Sequence, residues 1–82
     1  MILDDIRIGA RIASARHLAG LKQRDLAERI GVSVNTLSRI EVGETKNPNA
    51  RIIASIADAL GCSTDYLLGL SSDLKVKKRF ND

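Results

Sequence analysis

The sequence predicts an all-α fold of five short helices, and three of its features make that prediction. Apolar residues recur at intervals of three and four along most of the chain, the spacing that lines one face of a helix. Glycines follow the apolar-periodic runs, where helices end most easily. No alternating run is long enough for a useful strand. The 82 residues, 44% of them hydrophobic and mostly Ile, Leu, Ala and Val, suffice for one small core and one domain.

Each helix can be placed from its own residues. Ile8, Ile12 and Ala15, with Ile6 and Leu18 nearby, predict a first helix that ends at Gly20 and carries Arg7, Arg11 and Arg16. A second runs from Gln23 to Ile30, with Leu26, Ala27 and Ile30 on one face. Gly31 breaks it, as a residue that tolerates positive φ. Ser33 then caps a third helix from Val34 to about Val42, with Leu37 and Ile40 inside. Gly43 stops that helix, and residues 44–47 form a polar loop. Pro48 and Asn49 open the fourth, Asn49 as cap, and Ile53, Ile56, Ala57 and Leu60 form its stripe up to Gly61. Ser63 caps a short fifth helix containing Tyr66, Leu67 and Leu68. The reading divides the chain into a helical domain, 1–70, and a basic tail, 71–82.

Composition excludes several classes of function. Tyr66 and Phe80 are the only aromatic residues, too few for a platform that stacks unpaired bases. The lone Cys62 rules out an internal disulfide and suits a reducing cytoplasm. No apolar run approaches the ~20 residues of a membrane span, and the first residues lack a signal-peptide pattern. A cytoplasmic protein without membrane association is expected. The net charge is +3, but Lys75, Lys77, Lys78 and Arg79 against Asp82 supply all of it. The rest of the chain carries nine basic and nine acidic residues. Net charge alone therefore does not point to nucleic acid.

The informative stretch is Gln23 to Gly43, two short helices joined by a tight turn at Gly31. Ala27 is small where the helices must approach, and Leu26, Leu37 and Ile40 set the angle between them. These are the requirements of a helix-turn-helix, whose second helix reads base edges in the major groove. At 100° per residue, Asn35 lies almost opposite the buried side, flanked by Ser38 and Arg39. Asn can pair bidentately with adenine and Arg with guanine, while Val34 can touch a thymine methyl.

The pattern Q-x-x-L-A-x-x-x-G-x-S-x-x-T-L-S-x-I-E-x-G, followed by N-P and A-x-x-L-G, resembles the phage repressor/Cro family, also called XRE. The resemblance covers roughly Ile8 to Leu68. It implies a compact, lambda-repressor-like five-helix domain that binds double-stranded DNA, usually as a homodimer on a palindromic operator. By position in the motif, Ser33, Val34, Asn35 and Arg39 would face bases, with Ser38 and Thr36 at the edge of that surface. Gln23 would hold a phosphate at the start of the second helix. Lys22, Thr45, Lys46 and Asn47, with the amides near Thr45 and Asn47, would approach the backbone. Arg16 and Glu41 would form an ion pair between the first and third helices. Three positions depart from the family pattern: Lys22 replaces a capping Ser or Thr, Glu44 is acidic, and Val34 replaces a polar residue.

Blander readings stand beside these. Asn35 and Arg39 taken alone are what any solvated helix face carries, and only the motif turns them into base readers. His17 has no ligand-spaced neighbour and reads as a surface residue, not a catalyst or metal ligand. Cys62 reads as a structural thiol. The tail is either a solvated basic end or, through Leu74, Val76 and Phe80, a surface that packs on a partner. The leading expectation is a transcriptional regulator, a repressor, that pairs through Tyr66, Leu67, Leu70 and the tail; Leu67 could instead belong to the core. The alternative is an antitoxin that binds DNA and a protein toxin. No catalytic constellation or phosphate loop suggests an enzyme. No cofactor or metal is expected, nor a small-molecule effector, since little chain follows residue 68 to build a pocket.

Overall fold

In the computed structural model, which describes residues 7–76, the apolar runs become five helices, and no strand occurs among the described residues. These are α1 (Ile8–Ala19), α2 (Gln23–Ile30), α3 (Val34–Glu41), α4 (Ala50–Leu60) and α5 (Thr64–Leu67). Ile6, Lys77, Lys78, Arg79, Phe80 and Asp82 lie outside the described residues.

The helix starts follow from local hydrogen bonding. Ser33 Oγ accepts the Thr36 N–H at 3.0 Å, Asn49 Oδ1 that of Ile52 at 2.9 Å, and Ser63 Oγ that of Tyr66 at 3.0 Å. Each satisfies a first-turn donor that has no partner inside its helix. Lys22 offers α2 no such acceptor. The Asp25 carboxylate instead reaches back to accept the Lys22 N–H at 3.0 Å, one half of a capping box and a negative charge at the helix's positive end. At the other end of α2, Gly31 has φ +77°, and a Cβ there would meet open space. Glycine is needed at that turn for its backbone angle, not for room.

Ile12, Leu26, Leu37, Ile40, Ile56, Leu60 and Leu67 form the wholly buried centre of the core. The pair α2–α3 packs on itself, on α1 through α3 and on α4 through α2, while α5 closes against α1 and α4. Gly9 sits where α1 crosses the end of α3. A Cβ there would run into the backbone carbonyls of Ile40 and Glu41.

Two expectations about the last third change. Tyr66 and Leu67 belong to the core, so neither offers a surface for pairing. Leu67 has its apolar neighbours inside the molecule, and burial there satisfies it. Beyond α5, residues 71–76 have no regular structure, yet Leu74 and Val76 are half-buried against the core. Arg11 fastens this segment. Its guanidinium lies 5.0 Å from the centroid of the Tyr66 ring, and Nη1 donates to the carbonyls of Tyr66 at 3.3 Å and Ser71 at 3.5 Å. No helix among the described residues is long and apolar enough to cross a membrane.

Candidate nucleic-acid interface

The surface begins with what holds α3 in place. Leu37 and Ile40 are buried, and the packing of α2 against α3 fixes their angle. On the opposite side Val34, Asn35 and Arg39 are exposed, and Ser38 is half-buried at the edge. Asn35 and Arg39 make no ion pair or side-chain hydrogen bond with the described residues. Their amide and guanidinium therefore keep their full hydrogen-bonding capacity for a ligand. Ser33 differs. Its hydroxyl accepts the Thr36 N–H and donates to Thr36 Oγ1 at 3.0 Å. Its proton is committed to the helix cap, which leaves it one acceptor site.

Behind this face lies a buried polar cluster. Arg16 Nε donates to Glu41 Oε2 at 2.8 Å and Arg16 Nη2 to Glu41 Oε1 at 3.0 Å, a two-point pair with side chains 9% and 5% exposed. Arg16 Nη1 donates to the Leu21 carbonyl at 2.9 Å. Gln23 Nε2 donates to Glu41 Oε1 at 3.0 Å. The cluster ties α1, the α1–α2 turn, the start of α2 and the end of α3 to one carboxylate. Among the described residues no buried side-chain nitrogen or oxygen lacks a partner. A buried charge is tolerable under those conditions and costly otherwise.

The expected phosphate-facing residues are distributed differently. Lys22, Thr45, Lys46 and Asn47 are exposed, the last three on the α3–α4 loop. The Thr45 N–H is not free: it donates to the Arg39 carbonyl at 3.1 Å, which also accepts the Glu44 N–H at 2.9 Å. Those bonds finish α3 and stiffen the loop. Gln23 is half-buried, with its amide nitrogen already given to Glu41. Sequence spacing did not reveal that bond, since the two residues lie eighteen apart and on different helices. Arg7, which precedes α1, lines an open groove of about 620 Å³ between the start of α1 and the α3–α4 loop.

The remaining reactive side chains add little. His17 is exposed and Cys62 half-buried, and burial pushes the Cys62 thiol above its ordinary pKa. That keeps it protonated and poorly nucleophilic. No group of three or more His, Cys, Asp or Glu among the described residues could hold a metal ion.

Comparison with known proteins places this arrangement. The helix-turn-helix family HTH_3 matches residues 12–67. The chain is 34% identical over 62 residues to the HTH-type transcriptional regulator ImmR of Bacillus subtilis, covering 76% of this chain and 48% of ImmR. It is 42% identical over 59 residues to the uncharacterized HTH-type transcriptional regulator YazB of the same organism, covering 72% and 84%. With repressor protein C2 of Salmonella phage P22 it shares 38% over 61 residues, 74% of this chain but 28% of that one. The chain thus spans most of YazB, about half of ImmR and under a third of C2. No solved structure gives a significant match.

Proposed function

Since the chain belongs to the XRE-type helix-turn-helix family, we propose that it represses transcription as a symmetric homodimer on a palindromic operator in double-stranded DNA. The observation that carries this is α3: a packed helix whose outer face presents the side chains of Asn35 and Arg39, unengaged by any of the described residues. Bidentate contacts from these two residue types read adenine and guanine in the major groove. Lys22, Lys46 and Asn47 hold the backbone on either side, which positions the protein without reading sequence. Gln23 contributes by bracing Glu41, and its amide oxygen remains available to a donor.

Dimerisation supplies affinity that one domain lacks. A single short helix makes few base contacts, and the chain before residue 74 is electrically neutral. Two copies place two recognition helices about 34 Å apart, one turn of DNA. With Tyr66 and Leu67 in the core, Leu70, 62% exposed, is the apolar residue left at that end for pairing. Selection from random duplexes, followed by footprinting and native mass measurement of the bound complex, tests the whole reading. It predicts two symmetric half-sites and two chains per operator. One chain on one unrepeated half-site at saturation refutes the dimer, and no enriched sequence refutes specific binding.

A further inference from the structure

The groove between the start of α1 and the α3–α4 loop is cationic, and the described part of the chain leaves its charge unanswered. Arg7 stands on one wall and Lys46 on the other. Both are exposed, and neither has an ion pair or side-chain hydrogen bond among the described residues. Glu41 is the one carboxylate among the described lining residues, and Arg16 and Gln23 already occupy both of its oxygens. The start of α1 adds the partial positive charge of a helix end, with no side-chain cap to offset it. Among the described residues nothing offsets a cation at that pole, and such an arrangement suits an arriving anion.

The position of the groove identifies the anion. Thr45, Lys46 and Asn47, which form its far wall, are the same loop residues assigned above to the DNA backbone. An open groove holds a lone small ion weakly. A duplex anchored through α3 delivers phosphates to that loop without any further loss of translational freedom. We propose that Arg7 is an additional phosphate contact of the DNA interface, gripping the same backbone segment as Lys46 from the opposite wall. This rests on the DNA-binding reading above.

Arg7 has φ +54°, a left-handed angle that favours glycine, so charge and backbone can be separated. Arg7→Gly removes the guanidinium and suits the local backbone. Arg7→Lys keeps the charge. The full chain and these variants, with Lys46→Ala beside them, are titrated against the selected duplex and an unrelated duplex over a salt series. For Arg7→Gly the slope of log affinity against log salt should fall by about 0.9, the value of one lost phosphate contact. Both duplexes should weaken by the same factor, the thermal midpoint should not drop, and Arg7→Lys should restore the slope. An unchanged slope in Arg7→Gly, while Lys46→Ala lowers it, overturns the proposal and leaves the DNA reading intact. Wild-type protein that binds no duplex at any salt overturns that reading first. Saturable binding of inorganic phosphate to the free protein, lost in Arg7→Gly, shows a small-anion site and overturns the assignment to DNA.

Discussion

At the residue scale, the exposed face of α3 proposed to read bases and the buried cluster behind it make different demands on single side chains. Asn35 and Arg39 are exposed and bonded to none of the described side chains, so replacing either with Ala removes no hydrogen bond or ion pair among the described residues. Each substitution should cost ~1–3 kcal/mol on the preferred site and relax the choice of base at one position. Binding measured across a panel of single-base variants checks this, and unchanged preferences in both mutants would reject the assignment. Glu41 is the opposite case. Glu41→Gln keeps the shape but leaves Arg16 buried without its counter-charge, and breaking such a pair typically costs ~3–5 kcal/mol. Urea unfolding should show that loss with binding lowered only in proportion to the folded fraction. The motif made the outward positions of Asn35 and Arg39 and the Arg16–Glu41 pair legible, because residue types and spacing carry that much. For Gln23 the motif gave only an expected phosphate contact. Its bond to Glu41 depends on how α2 and α3 pack, which local spacing does not encode.

At the element scale, helix boundaries were readable because caps are local chemistry. Ser33, Asn49 and Ser63 each accept the N–H three residues on, and that relation is visible in the sequence as a residue type at a fixed offset. Glycines were legible only in part, because the chain uses them for two reasons. Gly31 meets a backbone angle, and its substitution by Ala should cost ~1–2 kcal/mol for the left-handed conformation. Gly9 lies inside α1, where helix propensity alone makes Ala better by up to ~1 kcal/mol. Packing reverses the sign. The Cβ would meet the carbonyls of Ile40 and Glu41, rigid backbone groups that cannot rotate aside. Gly9→Ala should therefore destabilise, by the ~1–3 kcal/mol usual for overpacking. It should also shift α1 against α3, disturbing the Arg16–Glu41 pair. Thermal unfolding of the two variants separates the explanations, and a Gly9→Ala protein more stable than wild type would show that α1 and α3 do not approach this closely.

At the scale of the whole molecule, a domain whose chain before residue 74 carries no net charge draws little affinity from electrostatics, and the proposed pairing uses the last third of the chain. The sequence grouped Tyr66, Leu67, Leu70 and the tail residues Leu74, Val76 and Phe80 as a pairing surface because all are apolar and close in sequence. Folding separates them: Tyr66 and Leu67 turn inward, Leu74 and Val76 lie half-buried on the core, and Leu70 stays out. Cutting the chain after Gly69 would thus be an ambiguous test, since it also removes the Arg11–Ser71 bond and two side chains packed on the core. Leu70→Asp is cleaner. The side chain is exposed in the single chain, so the folding stability of a monomer should change within ~0.5 kcal/mol. If Leu70 is buried between two copies, its loss removes up to ~1.5–3 kcal/mol on each side. A two-fold interface counts that loss twice and adds two facing carboxylates. Native mass measurement on a full operator should then show one chain bound where wild type shows two, while affinity for an isolated half-site stays unchanged. Two chains bound to the operator with wild-type cooperativity would place the dimer contact elsewhere on the surface.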